Sequence, residues 1–407
     1  MMLEKPKVDG IVRWLACGML LALPFSVAMV NFCGYLIIVL ALFSENWRHS
    51  AGNLLRNRLV WVVISMLALV VIGVMDSTGP RYEALNVLNR YHKLLFIPLL
   101  MPFFQQASHR QMALRVFFVA IFINVLISWF DYFGLTHWGD PIYYSVPFHP
   151  GDAVFRQHIT QGMLFDLLFA ISGVFAILSQ SWKRGFFVLV GILTGLNILI
   201  VMVGRTGKAL LPIILLWLLI EWWRTSGEFR HKKSLKRVMA IVIAVLVVSG
   251  TLWSMFNPAT MLGTVIQEVK VSRSTGADTS QGERVEFWKK GLTLIRKNPW
   301  YGSGSGSIYQ QTEQLAQYEK SKVAHMATYN LHNEFLMWFV QFGWPGAFVI
   351  IAFYYLYFSI VRGISMNSLM LRTTGMVFIL GSLFNSFLND FTEGYSMVML
   401  AGILVDL

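Results

Sequence analysis

The chain is a succession of apolar runs about 15 to 20 residues long, and a run of that length crosses the roughly 30 Å hydrocarbon core of a bilayer as an α-helix. A soluble core takes its apolar residues in short periodic pieces and has no use for repeated runs that are apolar all round. Composition agrees: 56% of residues are hydrophobic and 13% charged, against roughly 45–50% and 25% in an ordinary soluble domain. A closed β-barrel needs segments that alternate polar and apolar, and these runs do not alternate. The fold class is therefore all-α, a polytopic integral membrane protein.

The runs place about twelve spans, near 11–25, 28–43, 59–75, 84–104, 114–133, 161–179, 186–203, 209–223, 238–256, 345–360, 373–388 and 391–407. That divides the chain into a nine-span block over 1–256, a polar loop domain over 257–344 and a three-span block over 345–407. Lys5, Lys7 and Arg13 ahead of an apolar stretch, with Ser26-Val27-Ala28 after it, have the pattern of a cleavable signal; the apolar continuation from Gly34 to Phe43 favours a retained first helix with a hairpin partner. Cys17 and Cys33 fall inside spans and read as packing residues, not a disulfide.

Basic residues in short loops set the orientation. With both termini in the cytoplasm, Arg110, Arg115, Lys183 and Arg184 lie inside, as does the cluster Arg230-His231-Lys232-Lys233 with Lys236 and Arg237, which suits an anionic lipid surface. Left outside are Arg81, Arg90, Lys93, Arg156, Arg205, Lys208 and the bases of the long loop. Arg205 and Lys208 occupy a very short connection, and Arg90 and Lys93 sit at or below the interface. Ionisable groups in such places are costly, so anion binding is preferred to snorkelling.

The outer loop reads as two amphipathic helices. The first opens at Ser280 with Glu283 as a capping box, carries Val285, Trp288, Leu292 and Ile295 on one face, and ends at Asn298-Pro299. Lys289 and Lys290 on its other face suit phospholipid headgroups, while Arg284 in the first turn is placed to reach a cavity. The second opens near Asn330, with Leu331, Phe335, Trp338 and Phe342 as its stripe, and is broken by Gly343-Trp344-Pro345-Gly346. His332 lies near the interface, structural or catalytic on spacing alone, and Glu334 reads as a solvated helix-start carboxylate.

Two apparent motifs are set aside. Gly302-Ser303-Gly304-Ser305-Gly306-Ser307 has no strand before it to make a dinucleotide site and reads as a flexible turn. Gly204-Arg205-Thr206-Gly207-Lys208 is too short for a phosphate loop and lacks the hydroxyl residue after Lys. No cluster has metal-ligand spacing, so neither a metal nor another cofactor is expected. Nucleic acid is not an expected partner.

In order along the chain stand Gly204-Arg205-Thr206-Gly207, Arg284-Val285-Glu286-Phe287-Trp288, Asn298-Pro299-Trp300-Tyr301-Gly302-Ser303-Gly304, and His332-Asn333-Glu334-Phe335-Leu336 followed by Phe342-Gly343-Trp344-Pro345-Gly346. In that order, around a large outer loop, they resemble the O-antigen ligase family, which is related to the O-antigen polymerases. The resemblance implies an inverting, metal-independent glycosyltransferase of lipopolysaccharide biosynthesis in the Gram-negative inner membrane, its active site facing the periplasm. Its partners would be undecaprenyl-diphosphate-linked O-antigen, the lipid A core oligosaccharide and membrane lipids. Arg205 and Arg284 would hold the diphosphate, since guanidinium forks supply charge-assisted bidentate donors, and His332 would be the general base. Asp390 would orient His332 or a substrate hydroxyl, or be a buried helix-end carboxylate. Arg90, Lys93, Arg156 and Lys208 would bind phosphates of the acceptor or the lipid donor. A polymerase uses the same groups. A flippase needs only the binding arginines but commonly shows repeated halves, and none are evident. A membrane scaffold leaves the short-loop bases unexplained.

Overall fold

The computed structural model describes residues 6–138, 151–225, 261–275, 279–317 and 326–407, and every regular element among them is helical. Helices α1 (Pro6–Ala22) and α2 (Val27–Phe43) form the first hairpin. Ser26 starts α2 by accepting a hydrogen bond from Met29 N at 3.2 Å, and Ser44 does the same for α3 (Glu45–Leu54) through Trp47 N at 3.2 Å. The chain turns by 87° between α2 and α3. Helix α4 (Arg58–Met75) follows, and after it the region expected as one span at 84–104 departs from the reading. It is broken into α5 (Arg81–Tyr91), a 3-10 turn at His92–Leu95, the short α6 (Phe96–Leu100) and a second turn at Met101–Phe104. Arg90, His92 and Lys93, which interrupt the apolar run, stand at the first break, and farther on Pro98 and Pro102 lack the amide hydrogens a continuous helix would bond.

Helices α7 (Ala107–Tyr132), α8 (His158–Leu178), α9 (Ser181–Ile200) and α10 (Arg205–Thr225) pack with α8 at their centre. Helix α11 (Met261–Thr275) leads into α12 (Ser280–Lys297) and the short α13 (Ile308–Ala316). Helices α14 (Glu334–Ser359), α15 (Met366–Ser382) and α16 (Phe391–Leu404) complete the chain. Among the described residues six helices, α4, α7, α8, α9, α10 and α14, are long and apolar enough to cross a membrane, or seven if α2 and α3 make one bent span. The span expected at 238–256 lies outside the described residues. The protein is thus a polytopic helical membrane protein. Its exposed large side chains, Phe32, Leu42, Ile72, Leu199 and Phe348 among them, form the surface that lipid covers. Helix α16 is buried along nearly its whole length, with Thr392, Glu393 and Ser396 in its first two turns and an apolar run from Met397 to Leu404.

Three details of the loop correct the reading. The cap of α12 is Thr279, not Ser280, and its hydroxyl accepts from Gly282 N at 3.1 Å. Its buried face is Phe287, Lys290, Gly291 and Leu294, while Leu292 is exposed. Lys290 therefore does not reach headgroups; its ammonium donates to Met326 O at 2.6 Å. The apolar stripe was assigned without knowing which face α14 and Leu331 would cover.

The glycine-serine segment is not a flexible turn. Gly302, Gly304 and Gly306 have φ of 72°, 83° and 74°, and Ser303, Ser305 and Ser307 are buried. Ser303 N donates to Val340 O at 3.0 Å and Gly304 N to Gln341 O at 2.9 Å, both on α14. On the other side Ser305 N donates to Gly73 O at 2.9 Å, and Ser305 Oγ to Val70 O at 3.0 Å, both on α4. Alternate glycines adopt the left-handed backbone while alternate serines plug the space between α4 and α14. The segment is a strap that ties the outer loop to the bundle.

Candidate functional site

His332 stands just before α14, at φ 51°, a left-handed conformation that is strained for a residue with a Cβ. Its neighbours hold it there. Asn330 Oδ1 accepts from His332 N at 2.8 Å and from Ser386 Oγ at 2.7 Å, and Asn333 Oδ1 caps α14 by accepting from Leu336 N at 3.0 Å. The imidazole lies nearly parallel to Phe287, ring centres 6.3 Å apart. Phe287 and Arg284 are three apart on α12 and so share a face, which brings the Arg284 charge within range of the ring. His332 is held below the ordinary histidine pKa, first by burial and then by Arg284, against an opposing hydrogen bond to Asn385. It is neutral near pH 7, as a proton acceptor must be. Burial, then the Arg205 charge, also lower Arg284, which still remains a cation.

A cavity of about 330 Å³ is lined by Arg156, Thr160, Asn330, His332, Asn385, Asp390 and Glu393, among others. A second, of about 210 Å³, is lined by His158, Gly204, Arg205, Ser280 and Arg284 among others. Ile159 lines both. The two arginines and the histidine expected from the sequence thus occupy adjoining cavities with a common wall at the start of α8. Arg205 opens α10, and the turn before it is set by the buried Asp152, whose Oδ1 accepts from Val203 N at 2.7 Å.

The remaining expected residues separate. Arg156 and Asp390 line the His332 cavity; the Arg156 guanidinium also donates to Leu23 O at 3.1 Å. Arg90 lines a different, smaller cavity with Asn86, Tyr309, Tyr329 and Gln341. Lys93 is buried and lines neither of the two main cavities; its ammonium donates to Asn389 O at 3.3 Å and also to Asp390 O. Lys208 is half-buried in the first turn of α10 and lines neither.

Four residues were missed or misread. Glu334 is not solvated. It is completely buried, its Oε1 accepting from Tyr91 Oη and Trp338 Nε1, each at 2.9 Å, and its Oε2 from Leu388 N at 3.0 Å and Asn389 N at 3.3 Å. It thereby pins the segment carrying Asn385 and Asp390 against the start of α14. Asn385 has a buried Nδ2 with no hydrogen-bond partner and lines the cavity beside His332. Glu393 is buried and accepts from Thr160 Oγ1 at 2.6 Å at the same wall. Glu268 on α11 pairs with both arms of Arg205, Nη1 to Oε2 at 2.8 Å and Nη2 to Oε1. The polar run Asn385-Ser386 and Asn389-Asp390 between two apolar stretches was the available signal for Asn385; for Glu268 none was visible.

These features define a polytopic membrane protein in which a cavity bearing two arginines and a cavity bearing a histidine share Ile159 as a wall. Residues 190–351 match the model of the O-antigen ligase family. The matched part holds Arg205, Arg284 and His332 and stops short of Asn385 and Asp390. No curated protein matches the chain. That match supports a role similar to that of the O-antigen ligase and polymerase glycosyltransferases.

Proposed function

We propose that the protein is a ligase that transfers O-antigen glycan from undecaprenyl diphosphate to a sugar hydroxyl of the lipid A core, at the periplasmic face of the inner membrane. The observation that carries this reading is the adjoining pair of cavities, one cationic through Arg205 and Arg284 and one holding His332. A diphosphate in the first would put the anomeric carbon toward the second. The acceptor oxygen attacks that carbon, its proton passes to the ring nitrogen of His332 not engaged by Asn385, and the bond from carbon to diphosphate oxygen breaks. Negative charge grows on the leaving group, where the arginines supply charge-assisted bonds of about 1.5–3 kcal/mol each. Direct displacement inverts the anomeric centre. Arg205 must exchange its Glu268 partner for the donor diphosphate, one anion for another.

The test is transfer by the purified protein from undecaprenyl-diphosphate glycan to lipid A core, with chelator present. His332→Ala should lower the rate by about 10²–10⁴, with folding unchanged by thermal melting. Near-normal transfer by that variant refutes the base assignment. Extension of the lipid-linked glycan without transfer to lipid A core would instead identify a polymerase.

A further inference from the structure

The widest cavity among those described lies away from the site above. It measures about 840 Å³, within the range of sites that hold a sizeable ligand, and lies among α7, α8 and α9, touching Met366 at the start of α15. Its walls are Phe118, Phe122, Phe175, Phe186 and Phe187, and Arg115, Lys183 and Trp182 stand at its edge. Among the described residues no acidic side chain lines it, and neither Arg115 nor Lys183 makes an ion pair. Helix α8 relates the two regions. Thr160 lines the His332 cavity, and Leu178 lines this one. At 1.5 Å per residue they are about 27 Å apart along the helix, close to the thickness of the hydrocarbon core. The two cavities therefore open toward opposite leaflets.

We infer that this cavity is a binding site for one anionic glycerophospholipid of the leaflet opposite the transfer site, its acyl chains among the phenylalanines and its phosphate between Arg115 and Lys183. The cavity opens on a surface that faces lipid, so a hydrocarbon occupant needs no passage through water. The uncompensated cations choose the headgroup. Trp182, largely exposed, has the amphipathic character that suits the interface between chain and headgroup. The donor's carrier lipid is excluded as occupant by distance, since its diphosphate would sit at the other end of α8. The exclusion of the carrier lipid rests on the ligase reading, whereas the cavity, its phenylalanines and its two cations do not.

The test uses the full chain, stripped of lipid in neutral detergent and titrated with phosphatidylglycerol, phosphatidylcholine of the same acyl chains, or undecaprenyl phosphate, with bound lipid counted by native mass spectrometry. One phosphatidylglycerol should be retained in preference to phosphatidylcholine. Arg115→Gln with Lys183→Gln should lower that preference by about fivefold per cation, the ratio that about 1 kcal/mol per basic residue near a membrane surface converts to. Arg115→Lys with Lys183→Arg should keep it, and Val119→Trp, which fills the cavity, should lower retention of both phospholipids. An unchanged preference in the doubly neutral variant, unchanged retention in Val119→Trp, or displacement of phosphatidylglycerol by an equal amount of undecaprenyl phosphate each overturns the inference. Lipid retention is read without any glycan, so its failure would be separate from failure of the ligase reading.

Discussion

At the scale of single residues, the site depends on how burial and neighbouring charge set one proton affinity. His332 lies below the ordinary histidine range because it is buried and because Arg284 is near. In the ligase reading the rate falls as His332 becomes protonated, so the acidic limb of a pH profile of kcat/KM should lie below about 6.5, the unperturbed value. Arg284→Gln removes one of the two lowering causes, so that limb should move toward higher pH while the rate itself falls. A limb that stays in place would mean that the two side chains do not interact. Glu334 illustrates the opposite case, a carboxylate satisfied by four donors. Glu334→Gln keeps one acceptor oxygen, so its NH2 must face either the backbone N–H groups of Leu388 and Asn389 or the Trp338 indole N–H and leave that side without an acceptor, at about 1–3 kcal/mol for each orphaned donor. Its thermal midpoint in detergent should fall, and with it the transfer rate, because the segment carrying Asn385 and Asp390 loses its anchor.

At the scale of elements, the glycine-serine strap and the interrupted fourth span decide where the outer loop sits. A Cβ at Gly304 would lie 2.5 Å from Ser77 Cα and 2.9 Å from the carbonyl oxygens of Gly73 and Asp76, all of them backbone. With φ at 83°, Gly304→Ala pays in both conformation and space. The conformational part alone is about 1–3 kcal/mol, and melting should show at least that loss. Gly52→Ala on α3 is the control, since nothing lies within 4 Å of its Cβ position. There the gain in helix propensity should stabilise by roughly 0.5–1 kcal/mol. Equal effects from the two substitutions would show that the strap is not packed as described. The strap was read as flexible because a Gly-Ser repeat has that composition when solvated; here two helices from distant parts of the chain supply its hydrogen bonds.

At the scale of the whole molecule, a buried ion pair joins the end of α10 to α15. Arg372 Nε donates to Glu221 Oε1 at 2.9 Å and Nη2 to Oε2 at 3.3 Å, with both side chains buried, and Arg372 Nη1 also donates to Ser368 Oγ at 2.6 Å. Arg372 lies inside α15, one residue ahead of the span expected at 373–388. Arg372→Met leaves Glu221 buried with only Arg224 beside it, at 3.2 Å. Removing one partner of a buried pair costs about 3–5 kcal/mol, whereas replacing both with apolar residues of similar volume is often neutral or stabilising. The single variant should therefore melt well below the double variant with Glu221→Leu, and a double variant as unstable as the single would contradict this account.

What the sequence by itself determined is what a local property can carry: helical, membrane-spanning, basic in short connections, with Arg205, Arg284 and His332 inside the stretch that matches the family model. Hydropathy depends on neighbours along the chain, and a bilayer reads it run by run. The tertiary structure alone decided which polar groups meet. Glu334 draws partners from Tyr91 and Leu388, Arg205 from Glu268, and His332 from Phe287 and Asn385, all distant in sequence. In an interior without water, a polar group must find its partner within the protein, and only the packing of the helices settles which one is in reach.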